Sequence, residues 1–232
     1  MNNVHSLGIE PLYIILIVPT IILSIWAQIK VKTTFSKYSK VACSRATTGL
    51  DAANMLLKSN GITDVKVEHV GGSLTDHYDP SSKKLRLSDP VYRNNSIAAV
   101  GVAAHEAGHA LQHANKYGPL VLRSTLVPVA NIGSAAGPWL AIAGYFFQYS
   151  LLINIGIALF AGAVLFYLIT LPVEFNASAR AIAILRENRV LSEQELKGVK
   201  KVLSAAALTY VASALTALMS LLRLILMSRR RR

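Results

Sequence analysis

STLVPVANIGSAAGPWLAIAGYFFQYSLLINIGIALFAGAVLFYLITLPV, residues 124–173, is a run of fifty residues without one Asp, Glu, Lys or Arg. A helix rising about 1.5 Å per residue needs roughly 20 residues to cross a hydrocarbon core of about 30 Å. The run is long enough to cross twice. Gly137-Pro138 and the polar Gln148-Tyr149-Ser150 interrupt it near its middle, which predicts a transmembrane hairpin with its tip near 147–151.

Outward from the hairpin, residues 11–29 are nineteen consecutive uncharged residues, and 202–222 form another uncharged stretch rich in Ala, Ser and Leu. A cleavable signal peptide begins with basic residues and ends at a small-residue site. Residues 1–10 hold no Lys or Arg, and the run ends in WAQIKVK, so 11–29 is expected to be an uncleaved anchor. Lys30, Lys32, Lys37, Lys40 and Arg45 follow at once. Basic residues collect on the cytosolic side of membrane helices. That bias places the N-terminus outside and residue 30 onward in the cytosol, in a multi-pass protein of the cell membrane. By the same rule, 202–222 is expected to pack beside the cytosolic helices or to re-enter, keeping the basic tail 229–232 at the cytosolic face.

The chain as a whole is 53% apolar and 16% charged, where an ordinary soluble domain carries roughly 25% charge. This composition argues against a simple water-soluble enzyme. Lys+Arg outnumber Asp+Glu by 24 to 12, an excess that suits anionic lipid headgroups, above all at the terminal Arg run. Nucleic acid is set aside as a partner, because no aromatic or fold signature of nucleic-acid binding accompanies the charge. The single cysteine, Cys43, cannot form an intrachain disulfide.

Between anchor and hairpin the charges are spread evenly, as in a small soluble domain. Residues 47–62 carry apolar residues at helical spacing and stop at Asn60-Gly61. Val65, Val67 and Val70 suggest a strand, Gly71-Gly72 a turn, and 74–88 two short strands around Asp79-Pro80. A helix is expected from Ser96, after the breaker Pro90, through SIAAVGVAAHEAGHALQHA. The expected fold class is an α-rich integral membrane protein with a small α+β domain. Its expected segments are an anchor (1–29), a cytosolic domain (30–123), the hairpin (124–173), a charged helical region (174–201) and an apolar helix with a basic tail (202–232).

Within that helix lies His105-Glu106-Ala107-Gly108-His109, an H-E-x-x-H motif. Residues four apart share a helical face, so both imidazoles can reach one zinc ion, and Glu106 can act as general base toward the attacking water. The competing explanation is an ordinary amphipathic helix with two histidines on one side. A catalytic zinc needs a third protein ligand. His113 lies eight residues from His105, about 12 Å along a straight helix, too far to share the ion. A third histidine of metzincin type would stand at position 115, which is Asn115. A carboxylate on a second helix remains, and Glu174 stands where the hairpin returns to the cytosol. Its competing explanation is an interfacial carboxylate paired with a basic neighbour such as Arg180. Arg180, Tyr210 and His113 are candidates to stabilise the oxyanion, with Arg180 preferred because it lies within two turns of Glu174. His69 and His77 fit polar residues satisfied by neighbours better than ligands. Gly133 and Gly137 form a G-x-x-x-G that can bring membrane helices close. Lys84–Leu87 and Ser88 are the strand-like segment nearest upstream of the motif, able either to pair with an extended substrate or to sit inside the sheet.

HEAGHALQH, the apolar hairpin, PVEFNASARA and VLSAAALTYVASAL together resemble the YugP family of membrane-bound neutral zinc metallopeptidases, over most of the chain. That family is similar in plan to the HtpX and CAAX prenyl protease group of gluzincins, in which a helix after membrane segments supplies a glutamate ligand. The resemblance implies a gluzincin-like catalytic domain with His105, His109 and Glu174 as zinc ligands and Glu106 as base. The wider pattern has an Asp four residues after the ligand glutamate to orient a zinc histidine, and here that position is Ser178. Asn176 or Ser178 could substitute by hydrogen bonding. The expected activity is zinc-dependent endopeptidase action on membrane or membrane-proximal polypeptides. The alternative is a non-enzymatic membrane scaffold with a structural or vestigial metal site. Partnership with a second copy or another membrane protein is left open by the sequence.

Overall fold

The computed structural model describes residues 11–229. The expectations for His5, for the rest of residues 1–10 and for 230–232 lie outside the described residues. The chain forms helices α1 (Pro11–Leu16), α2 (Val18–Tyr38) and α3 (Gly49–Ser59), then strands β1 (Lys66–His69), β2 (His77–Asp79) and β3 (Lys84–Leu87). Helices α4 (Asp89–Tyr92), α5 (Ile97–Ala114), α6 (Gly118–Phe146), α7 (Ser150–Glu187) and α8 (Glu193–Arg229) complete it. The fold is that of an α-rich membrane protein with a small α+β unit.

Among the described residues two compact units divide it, one of 11–28, 122–171 and 209–229, the other of 29–121 and 172–208. Among the described residues, four helical stretches are long and apolar enough to cross a membrane: Tyr13–Tyr38, Gly118–Phe146, Ser150–Glu187 and Glu193–Arg229.

In the first unit Phe160, Val164 and Leu224 are buried, but many large apolar side chains point outward, with Trp139 73% and Phe147 80% exposed. A soluble protein would bury them, whereas lipid solvates them at no cost. Backbones come close where side chains are absent. A Cβ on Gly133 would run into the carbonyl oxygen of Leu159, and one on Gly137 would stand 2.9 Å from Phe160. The G-x-x-x-G of α6 therefore forms its contact with α7. Ser24, Ser134, Tyr167, Ser213, Thr216 and Ser220 line an open cleft of about 290 Å³ among these helices. The Ser24 and Thr216 hydroxyls bond back along their own helices, donating to the carbonyls of Thr20 and Ala212, each at 2.8 Å.

The hairpin tip falls between Phe146 and Ser150, but the helices outrun the uncharged stretch. α7 continues through the polar residues to Glu187, since Ala, Arg, Leu and Ile sustain a helix whether or not lipid surrounds it. Its 38 residues span about 57 Å, nearly twice a hydrocarbon core. Residues 202–208 of the stretch 202–222 group with the α+β unit. α8 is one unbroken helix through that stretch, and from residue 209 onward it groups with the membrane unit.

The α+β unit has its own core, in which Leu56, Leu85, Val91, Val100, Leu185 and Val199 are fully buried. Thr48 starts α3 with a capping box. Its hydroxyl accepts from the Asp51 amide at 3.1 Å, and its own amide donates to the Asp51 carboxylate. Ser96 caps α5 by accepting from the Ala99 amide. The sheet order is β1-β3-β2, with β1 parallel and β2 antiparallel to β3. β3 is thus the central strand, both of its edges are taken, and it cannot pair with a substrate. The free edge beside α5 belongs to β2.

Candidate metal centre

α5 carries His105 and His109 one turn apart, and their rings meet edge to face with centroids 4.7 Å apart. α7 brings Glu174 against them. Nε2 of His105 lies 3.2 Å and Nε2 of His109 3.5 Å from the same oxygen, Oε2 of Glu174. Among the described residues these three form the one cluster of metal-ligating side chains whose ligand atoms all lie within 4.8 Å. Glu174 is 2% exposed, and a carboxylate so deeply buried is costly without a cation or donors around it.

The close approach of α5 and α7 depends on small residues. A Cβ on Gly108 would stand 2.6 Å from the carbonyl oxygen of Ala177, and Ala177 and Ala181 are themselves fully buried. Glycine lies between the motif's two halves, so the ligand helix can rest directly on the motif helix.

Both imidazoles are held from behind. Nδ1 of His105 lies 3.1 Å from the hydroxyl of Ser178, the residue where the wider pattern has Asp. Nδ1 of His109 lies 3.0 Å from Oε1 of Gln112, which accepts its proton. Gln112 is fully buried, and its amide nitrogen donates to the carbonyl of Val173 at 2.8 Å and to Oδ1 of Asn176 at 3.0 Å. The two residues weighed as stand-ins for Asp therefore have different places: Ser178 touches His105, and Asn176 reaches His109 through Gln112. Gln112 escaped the sequence reading. Its signal was there: a polar residue three positions after His109, on the same side of the helix.

These residues fit zinc. Ligands about 2.0–2.1 Å from a tetrahedral zinc stand roughly 3.3 Å from one another, close to the 3.2 and 3.5 Å separations here. A proton on Nδ1 of His109 also leaves a lone pair on Nε2, directed at a carboxylate oxygen, and two such acceptors call for a cation between them. Without a metal that cation is a proton. Burial disfavours charge on His109, but its hydrogen bond to Glu174 and the nearby Glu106 and Glu174 carboxylates outweigh burial and raise its pKa.

Glu106 is buried on α5, outside the three-ligand cluster. Arg180 donates through Nε to Asn176 at 2.8 Å and lies over the Tyr117 ring at 5.8 Å. His113 is within 2.8 Å of the Tyr78 hydroxyl on β2, and burial pushes the Tyr78 pKa up to about 12. Tyr210 falls in the membrane unit. His69 pairs with Asp89 at 2.6 Å, and His77 lies 2.8 Å from the carbonyl of Thr75.

A helical membrane protein with two histidines and a buried glutamate converging on one point has the architecture of a membrane metallopeptidase. Residues 13–229 match a family described as "putative neutral zinc metallopeptidase", and the chain belongs to that family. It is 53% identical over 215 residues to a protein of Bacillus subtilis (strain 168) named "putative membrane protease YugP", covering 93% of this chain and 96% of the relative. No solved structure shows significant similarity to the chain.

Proposed function

We propose that this protein is a zinc-dependent endopeptidase acting on membrane or membrane-proximal polypeptides. The observation that carries the proposal is the convergence of both imidazole Nε2 atoms on one buried oxygen of Glu174. His105, His109 and Glu174 would hold zinc, which when bound polarises the scissile carbonyl and lowers the pKa of the attacking water toward ~7. Glu106 takes a proton from that water and passes it to the leaving amine. Arg180 can offer a developing oxyanion only its terminal nitrogens, since Nε is held by Asn176. An extended peptide would lie along β2, the free edge beside α5.

The relative's name, a membrane protease, supports a polypeptide substrate. Membrane-proximal substrates follow from Glu174 standing directly after the uncharged run 124–173 on the same helix. We place the site at the cytoplasmic face, because Lys30, Lys32, Lys37, Lys40 and Arg45, in the same compact unit as the site, outweigh the four arginines of 229–232.

The test is Glu106→Gln. It is expected to keep zinc at the wild-type level and to stop the release of peptides from membrane proteins, measured by mass spectrometry. Undiminished peptide release by the zinc-loaded variant would refute the proposal.

A further inference from the structure

We infer that Gln112, Asn176 and Arg180 form a relay that fixes the orientation and tautomer of His109, with each a positioning residue. This rests on the zinc-site proposal above.

The relay is determined by two groups whose hydrogen-bonding roles cannot change. The carbonyl oxygen of Val173 can only accept, and it lies 2.8 Å from one end of the Gln112 amide. That end must be nitrogen, so the other end, 3.0 Å from Nδ1 of His109, must be oxygen. The Nε–H of Arg180 can only donate, and it meets the Asn176 side chain at 2.8 Å. That atom must be oxygen, and it accepts the second hydrogen of the Gln112 amide at 3.0 Å. Carboxamides are commonly ambiguous end for end. Here a backbone carbonyl and a guanidinium leave each one arrangement. Nδ1 of His109 must then carry the proton, and the Nε2 lone pair is committed to the side of Glu174.

His105 lacks such a lock, because the Ser178 hydroxyl can donate or accept. The relay also differs in charge from the carboxylate partners common behind zinc histidines. Gln112 supplies an oxygen with no negative charge, at a site that already has Glu174 and Glu106.

Zinc affinity, measured by chelator competition on the purified full-length protein in detergent, and the visible spectrum of the cobalt-substituted protein test the relay without reference to catalysis. Gln112→Met, close in volume but without the amide, is expected to weaken zinc binding by about 10- to 100-fold and to change the cobalt spectrum. Arg180→Met touches no ligand, yet it is expected to weaken zinc too, by a smaller factor. In the double variant Arg180→Met should add nothing to Gln112→Met, since the relay it acts through is gone. Asn176→Asp keeps an acceptor for both neighbours and should retain wild-type affinity, whereas Asn176→Leu should not. If Gln112→Met fails to fold by circular dichroism, the Asn176 and Arg180 variants, at partly exposed positions, decide the matter. Additive effects of Gln112→Met and Arg180→Met, or equal affinities for Asn176→Asp and Asn176→Leu, would overturn the relay. Failure of the zinc site itself would show differently, as a wild-type affinity that His109→Ala leaves unchanged.

Discussion

Gly108→Ala adds one methyl group at the closest contact of the metal centre. The new Cβ would stand 2.6 Å from the Ala177 carbonyl oxygen and 3.2 Å from its carbon, where ordinary contact begins at 3.4 Å. The shortfall to the oxygen is about 0.8 Å, and it falls on backbone, which cannot rotate aside as a side chain can. α5 and α7 must separate. Glu174 lies one turn before Ala177 on α7, and His109 is the residue after Gly108, so most of that displacement reaches the ligand gap. Zinc sites hold their distances to within about 0.2 Å. The expected result is a destabilisation of about 1–3 kcal/mol and a loss of zinc affinity exceeding tenfold. The assay is chelator competition together with a thermal melt of apo and zinc-loaded protein in detergent. Gly101→Ala is the control on the same helix. Its Cβ meets the Val199 side chain at 3.1 Å, and a valine methyl can give way. Wild-type zinc affinity in Gly108→Ala, or equal losses in both variants, would refute the reasoning.

Glu174→Gln is expected to weaken zinc binding and end cleavage, whereas Glu187→Gln at the exposed end of α7 should do neither; zinc content and peptide release measured in parallel check both. Thr48→Ala removes one half of the capping box, should cost about 1 kcal/mol and lower the melting temperature by about 2–4 °C, with zinc affinity unchanged. Tyr78 ionises in the folded protein at a pKa pushed up to about 12 from an ordinary 10.0, with burial the first cause. The unfolded chain gives up that proton first, so stability should be intact below pH ~10 and fall between ~10 and ~12. Denaturation across that range checks the slope, which Tyr78→Phe should flatten.

The H-E-x-x-H helix was legible because its signals are local. Pro90 and the Ser96 cap mark its start, and the i, i+4 spacing sets both imidazoles on one face whatever the rest of the chain does. The three strands were legible for the same reason, but their order was not. Leu85 and Leu87 alternate with Lys84 and Arg86, a pattern that says one face is buried and says nothing about which strand lies on either edge. β3 is central because β1 returns to pair with it in parallel, a contact between residues some eighteen positions apart. Helix ends were not legible from charge, since α7 and α8 continue through charged residues without a break. By its position in the sequence alone, Gln112 is one polar residue on a helix face. Only the passage of α7 across that face makes it a buried partner of His109.

The α+β unit is interrupted in sequence by residues 122–171, and this has a consequence for biosynthesis. His109 leaves the ribosome 65 residues ahead of Glu174, a lead of about 3 to 13 s at ordinary elongation rates of roughly 5–20 residues per second. During that interval the nascent chain has the two histidines but not yet Glu174. With the ligand set proposed above, the metal cannot be captured in its final form until the apolar hairpin has been made. The full ligand set would then be assembled only in chains whose hairpin has already left the ribosome. It also means that no cut at either end can separate the α+β unit from the hairpin.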